Sequence, residues 1–129
     1  MNVLLDTNAP LWWLADSDRL GQPARAVLAD PSNTVYVSAA SAWEIAIKVG
    51  LGRLEAPRHV AGWLPDALTA NRFTPLPITI KHALGVEELP PYHADPFDRL
   101  IISQAIAEDL RVVTGDRQLG LYDIRMIPC

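Results

Sequence analysis

Thr34-Val35-Tyr36-Val37-Ser38-Ala39-Ala40-Ser41-Ala42-Trp43-Glu44-Ile45-Ala46-Ile47-Lys48-Val49-Gly50 is the stretch on which the fold turns. Residues 34–37 have the β-branched and aromatic content of a strand. Ser38 is then a good N-cap for a helix over residues 39–49, closed by Gly50 and Gly52. A strand that runs straight into a helix sets a pattern repeated on both sides. Upstream, Val3-Leu4-Leu5 reads as a short buried strand, followed by Asp6-Thr7-Asn8 and a Trp-rich helical segment over about residues 9–15. A second helix is predicted over 22–29, ended by Asp30-Pro31. Downstream, the pattern predicts a helix over 58–70, a strand over 74–76 and a short helix over 79–86.

Asp95-Pro96-Phe97-Asp98 is a strong helix start: Asp as N-cap, Pro at the first position, and a second acid in the first turn. That helix continues to about Asp109. Arg111-Val112-Val113 is another buried strand, ended by Thr114-Gly115-Asp116, and a last short strand is placed over 124–127. Strands separated by helices predict an α/β fold whose parallel sheet is covered on both faces.

Bulk composition agrees with that class. The 129 residues suit a single domain, residues 1–129, around one core; half are hydrophobic and a fifth charged, a globular balance. The apolar run over 45–51 contains Lys48 and Gly50, so no stretch is expected to span a bilayer. Met1 leads directly into Val3-Leu4-Leu5 without a basic region and signal helix, and a cytoplasmic protein is expected. The only cysteine is Cys129, which rules out an intrachain disulfide framework and a cysteine-based zinc site. A net charge of −4 argues at first against a nucleic-acid partner. Yet if four acids form one metal site, the remainder is formally neutral, and its eleven Lys and Arg residues are available around that site.

The acids fall where such a site would form. Asp6 follows the first strand, Asp116 follows the strand at Val112-Val113, and Glu44 lies within two turns of a helix that begins at the end of the second strand. Asp98 sits in the first turn of its own helix. Ligands of open parallel sheets bind beyond the carboxyl ends of the strands, which places three of these acids near that edge and the fourth within reach. Gathered carboxylates raise each other's pKa, and a divalent cation removes that penalty. An all-oxygen set suits Mg²⁺, with Mn²⁺ as a substitute, better than zinc.

Each acid also has a plainer role. Asp6 can cap the next helix, Glu44 stands four residues before Lys48 in the favourable order for a helical ion pair, and Asp95 is an N-cap. Asp98 can complement the helix dipole and Asp116 can cap the turn at Arg117-Gln118-Leu119. Ala40, Trp43, Ile45 and Ile47 give Glu44 an apolar setting in which an acid needs a reason. The joint placement outweighs the single explanations.

With those residues in place, the chain resembles the PIN-domain family, specifically the toxin ribonucleases of bacterial VapBC toxin–antitoxin pairs. Leu4-Leu5-Asp6-Thr7-Asn8 is similar to the family's first acidic strand end, and the segment from Ser38 to Lys48 to its Ser-x-x-Ser-x-Trp-Glu-Ile helix, continued by Gly52-Arg53-Leu54. Leu76-Pro77-Ile78 with His82-Ala83, the block His93-Ala94-Asp95-Pro96-Phe97-Asp98-Arg99-Leu100 followed by Gln104-Ala105, and Val113-Thr114-Gly115-Asp116 with Tyr122 complete the pattern in order. Pro10, where an aliphatic residue is usual, and Leu119, at a position often aromatic, depart from it without touching the acids.

The resemblance implies a PIN-like three-layer α/β/α architecture with a mainly parallel sheet of four to five strands. It also implies a Mg²⁺-dependent endoribonuclease that acts as a toxin, with Asp6, Glu44, Asp98 and Asp116 as metal-site and catalytic acids. Asp95 is a neighbour of these acids, and Thr7, Asn8 and Thr114 are supporting hydrogen-bonding groups. Arg99 and Lys48 are candidate contacts to phosphate or to the acids, with an ion pair to Glu44 or Asp98 as the plainer role. The family offers no histidine general base, so His93 is read first as a loop residue, and His59 and His82 as structural or exposed. The implied partners are RNA, a VapB-type antitoxin that covers the acidic groove with a basic side chain, and a second copy in a homodimer. Trp12, Trp13, Trp43 and Trp63 are expected mostly in the core, with one or two free to serve an interface.

A receiver-like signalling domain would need a paired acid beside Asp6 and a late Lys, but Thr7 and Asn8 follow Asp6 and no Lys occurs after Lys81. An Asp-x-Asp phosphatase fails because Asn8 stands where its general acid would be. The remaining alternative is a catalytically silent PIN-fold module that binds RNA or protein.

Overall fold

The computed structural model describes residues 1–92 and 94–129. His93, placed by its sequence in the loop before the last long helix, lies outside the described residues.

Among the described residues five strands form one sheet: β1 (Asn2–Leu5), β2 (Thr34–Ser38), β3 (Phe73–Leu76), β4 (Arg111–Thr114) and β5 (Met126–Pro128). Their order is β3-β2-β1-β4-β5, and every pairing is parallel. The helices are α1 (Asn8–Leu14), α2 (Gln22–Ala29), α3 (Ala39–Gly50), α4 (Val60–Ala70), α5 (Ile80–Gly85) and α6 (Pro96–Glu108).

Alternation along the strands explains why their sequences are apolar throughout. Val3 and Leu5 of β1 join Val35, Val37, Phe73 and Val113 in one buried cluster, with Leu28, Ile45, Leu64 and Leu68 from the helices and Leu20 from the turn before α2. Leu4 and Val112 point the other way, into a second cluster with Ile101, Ile102, Ala105, Leu119 and Tyr122. A strand buried on both faces needs no polar alternation, hence the runs Val3-Leu4-Leu5 and Val112-Val113. The chain therefore has the expected three-layer α/β/α form, with a sheet of five strands that is wholly parallel.

Several boundaries move for local reasons. α4 starts at Val60 rather than at Arg58, and His59, which precedes it, makes no side-chain capping bond. The last strand begins at Met126, because residues 117–121 coil into a 3-10 turn capped by Asp116. Gly50 stays in α3, and it is Gly52, with φ +72°, that turns the chain away. The histidines separate as well: His59 is exposed, while His82 is buried in α5. Among the described residues no helix is long and apolar enough to cross a membrane.

A buried polar network ties α6 to the start of α3. Ser38 caps α3 by accepting from the Ala40 N–H at 3.0 Å, and its hydroxyl donates to Gln104 Oε1 at 2.5 Å. The Gln104 amide donates in turn to the Pro77 carbonyl at 3.2 Å. Beside it, His82 Nδ1 accepts from the Thr79 N–H, so Nε2 carries the proton and donates to Glu108 Oε1 at 2.8 Å. At the crossing of α5 and α6, a side chain on Gly85 would meet Ser103 Oγ at 2.5 Å, so Ser103 would have to shift from its bond to the His82 carbonyl. The network joins the two helices that carry Glu44 and Asp98.

Replacing fully buried Gln104 with Leu would strand the Ser38 hydroxyl and the Pro77 carbonyl without partners. The expected loss is about 2–3 kcal/mol of unfolding free energy, read from urea titration as a lower midpoint at unchanged slope.

Candidate functional site

β1 and β4 are neighbours, and the connections leaving them run to opposite sides of the sheet. In an open parallel sheet this switch point leaves a crevice beyond the carboxyl ends of the strands. Asp6 leaves β1 here, its N–H held by the Val113 carbonyl of β4 at 2.9 Å, and Asp116 follows the end of β4. Between and around them lies a pocket of about 380 Å³ lined by Asp6, Thr7, Asn8, Trp12, Glu44, Lys48, Asp95, Asp98, Gly115 and Asp116. All four principal candidate acids, with Asp95 beside them, therefore face one cavity.

Each carboxylate is held by a local feature of the chain. Asp6 Oδ1 accepts from the Thr7 N–H at 2.6 Å, and Oδ2 accepts from the Thr114 hydroxyl at 2.7 Å. Thr114 Oγ1 also accepts from the Asp116 N–H at 3.0 Å, so one buried hydroxyl positions both strand-end acids. Thr7, buried below the pocket, donates to Ser41 Oγ at 3.0 Å and ties the start of α1 to α3. Asp95 caps α6 by accepting from the Phe97 and Asp98 N–H groups, and Asp116 accepts from the Gln118 N–H. Glu44 Oε2 lies 3.1 Å from Lys48 Nζ. The capping and ion-pair roles anticipated for Asp95, Asp116 and Glu44 thus coexist with their places in the pocket.

Arg99 is positioned differently. Its guanidinium donates to the carbonyls of Val86, Leu89 and Pro90 and to the Tyr122 hydroxyl, bracing the segment before α6 away from the pocket lining. Ser41 and Trp12 were given no role at the site from sequence. The signal for Ser41 was its place three residues before Glu44, on the same side of the helix.

The apolar setting inferred for Glu44 needs correction. Ala40 and Ile45 are buried, but Trp43 is 59% exposed and Ile47 38% exposed. Consecutive helical residues are about 100° apart, so sequence neighbours do not share an environment. Trp12, Trp13 and Trp63 pack against the core as expected, and Trp43 is the exception, its ring edge against Phe97 at 5.2 Å.

Crowding shows in the protonation of the acids. Burial lifts the Asp98 carboxyl to about 7, reinforced by the charges of Asp6, Asp95, Glu44 and Asp116. Asp6 is also raised, by burial first and by Glu44 and Asp116, against the lowering effect of the Thr114 and Thr7 hydrogen bonds. Among the described residues, no group of three or more Asp, Glu, His or Cys side chains stands assembled around a point to hold a metal ion. In donor chemistry the pocket fits a hard divalent cation, because its acids are all oxygen donors.

The chain belongs to the PIN-domain family, whose model matches residues 3–124. Over 118 residues it is 33% identical to ribonuclease VapC22 of Mycobacterium tuberculosis, covering 91% of this chain and 88% of that protein. Its fold is similar to the crystal structure of VapBC2 from Rickettsia felis bound to a promoter DNA fragment, with a TM-score of 0.74 at 19% identity over 99% of this chain and 98% of that one. DNA-bound VapBC from Salmonella typhimurium matches at a TM-score of 0.73 and 18% identity, over 99% of this chain and 98% of that one.

The raised Asp98 carboxyl predicts a pH-dependent stability. Between its ordinary value of 3.8 and about 7, the unfolded chain ionises while the folded one stays protonated, so this group's cost grows as pH rises through that window and is absent below it. In EDTA, Asp98→Asn is expected to be more stable than the parent at pH 8 by about 1–2 kcal/mol after allowance for solvent screening. The gain should vanish by pH 4, and thermal melts across this range check it.

Proposed function

We propose that this chain is a metal-dependent endoribonuclease that hydrolyses RNA phosphodiester bonds and serves as the toxin of a toxin–antitoxin pair. The observation that carries the reading is the convergence of Asp6, Glu44, Asp98 and Asp116 on one pocket at the switch point of the sheet. The VapC22 relative, named a ribonuclease and aligned over most of both chains, supports it.

Asp6, Asp98 and Asp116, with Glu44, are the residues that would hold Mg²⁺, or Mn²⁺ in its place. When bound, such an ion supplies an activated water at neutral pH and neutralises charge on the phosphoryl oxygens. The chain's own contribution is orientation. Thr114 and the Thr7 N–H occupy one lone pair on each Asp6 oxygen and leave the rest available to the pocket. Asp95 holds the first turn of α6, and with it Asp98, in place. Asn8, exposed on the pocket lining, is available to hydrogen-bond a metal-bound water or the substrate.

The same charge that attracts a metal attracts a cationic side chain. A VapB-type antitoxin that inserts one would silence the enzyme by neutralising these carboxylates. The neighbouring VapBC structures, determined as complexes, support such a partner. The proposal extends to a homodimer acting in the cytoplasm, with residues 1–129 as one domain.

Purified protein with Mg²⁺ is expected to cut single-stranded RNA, and EDTA to abolish the cutting. Asp6→Asn and Asp98→Asn should each lower the rate by more than about a hundredfold, on the order of 3 kcal/mol of barrier. Folded variants that cleave at the parental rate would remove these acids from the mechanism and favour a silent binding module.

A further inference from the structure

Lys48 is, among the described residues, the one cation that lines the acidic pocket. Its ammonium lies 3.1 Å from Glu44 Oε2, one helical turn earlier on α3. The two partners are unequal: the Glu44 side chain is 13% exposed, the Lys48 side chain 41%. The carboxylate is thus committed to the pocket wall, while the ammonium sits at the boundary with solvent on a flexible four-carbon stem. A pocket that gathers Asp6, Glu44, Asp95, Asp98 and Asp116 gains from any cation, but one ammonium offsets only one carboxylate.

A divalent cation entering the same pocket competes for that charge. Glu44 then has a stronger partner than Lys48, because a doubly charged ion coordinates several carboxylates at once. The ammonium released in this way remains at the pocket mouth, where a phosphate drawn to the metal site must pass. A point charge with three rotatable donors suits a non-bridging phosphate oxygen. Arg99, the other basic candidate from the sequence, is engaged with the carbonyls of Val86, Leu89 and Pro90.

We propose that Lys48 is an exchangeable counter-ion: it neutralises Glu44 until a divalent cation takes over that carboxylate, and then holds a phosphate of the bound RNA. The inference rests on the ribonuclease reading for the identity of the phosphate, but its test does not depend on turnover. The Lys48 side chain is partly exposed, so thermal melts accompany each variant to check folding, and Lys48→Arg keeps the charge.

Two titrations on the full chain decide it. By calorimetry with Mn²⁺, Lys48→Met is expected to bind the ion roughly two- to fivefold more tightly than the parent, the equivalent of one partly exposed ion pair no longer competing. By fluorescence anisotropy with labelled single-stranded RNA, the same variant should lose about tenfold in affinity with Ca²⁺ present, as expected for a lost charge-assisted contact. Little change is expected in EDTA, and Lys48→Arg should recover most of the affinity. Unchanged or weaker Mn²⁺ binding by Lys48→Met overturns the exchange. An RNA loss of equal size with and without Ca²⁺, or no loss, overturns the hand-over to phosphate. If the parent binds RNA in this cation-dependent way but never cuts it, the ribonuclease reading fails and the role of Lys48 stands.

Discussion

Like charges held together repel, and this chain brings Asp6, Glu44, Asp98 and Asp116 to one pocket with Asp95 at its edge. Folding can tolerate such a cluster only if rigid elements hold the acids and donors meet part of their charge. The parallel sheet provides the rigidity. β1 and β4 lie side by side in its centre, buried on both faces, and each delivers an acid at its carboxyl end. The donors are close by: Thr114 and the Thr7 N–H for Asp6, the first turn of α6 for Asp95, the Gln118 N–H for Asp116 and Lys48 for Glu44. Burial first, and the neighbouring carboxylates after it, still raise the protonation of Asp6 and Asp98.

The remaining acids reach the pocket on helices whose placement depends on buried polar contacts. Ser38 and Gln104 join α3 to α6, and Thr7 and Ser41 join α1 to α3. Unlike apolar packing, these bonds have direction, so they define how the helices are rotated and where Glu44 and Asp98 sit. Such a contact costs desolvation unless fully made, which makes the pocket geometry part of the stability of the fold.

Much of this architecture was legible in local pattern. Strands buried on both faces must be apolar without alternation, and Val3-Leu4-Leu5 and Val112-Val113 show it. Asp95 followed by Pro96 marked the start of α6, and Ser38 marked that of α3, because capping chemistry is local. The positions of Asp6 and Asp116 at strand ends, and hence their meeting, followed from the same reasoning. What local pattern could not show depended on distant partners. The Ser38–Gln104 bond joins residues 66 positions apart, and nothing near either one announces the other. Arg99 looked available to phosphate, yet carbonyls from the preceding segment occupy it. Trp43 and Ile47 looked like the walls of an apolar niche for Glu44, but the helical rotation turns them toward solvent.

The central claim is that these separated carboxylates together hold a divalent cation. Anomalous diffraction from crystals grown with saturating Mn²⁺ tests it most directly, because it locates the ion without reference to activity. The account predicts a strong peak among the carboxylates of Asp6, Glu44, Asp98 and Asp116. A pocket without a peak, or manganese bound only at sites elsewhere on the surface, would contradict it.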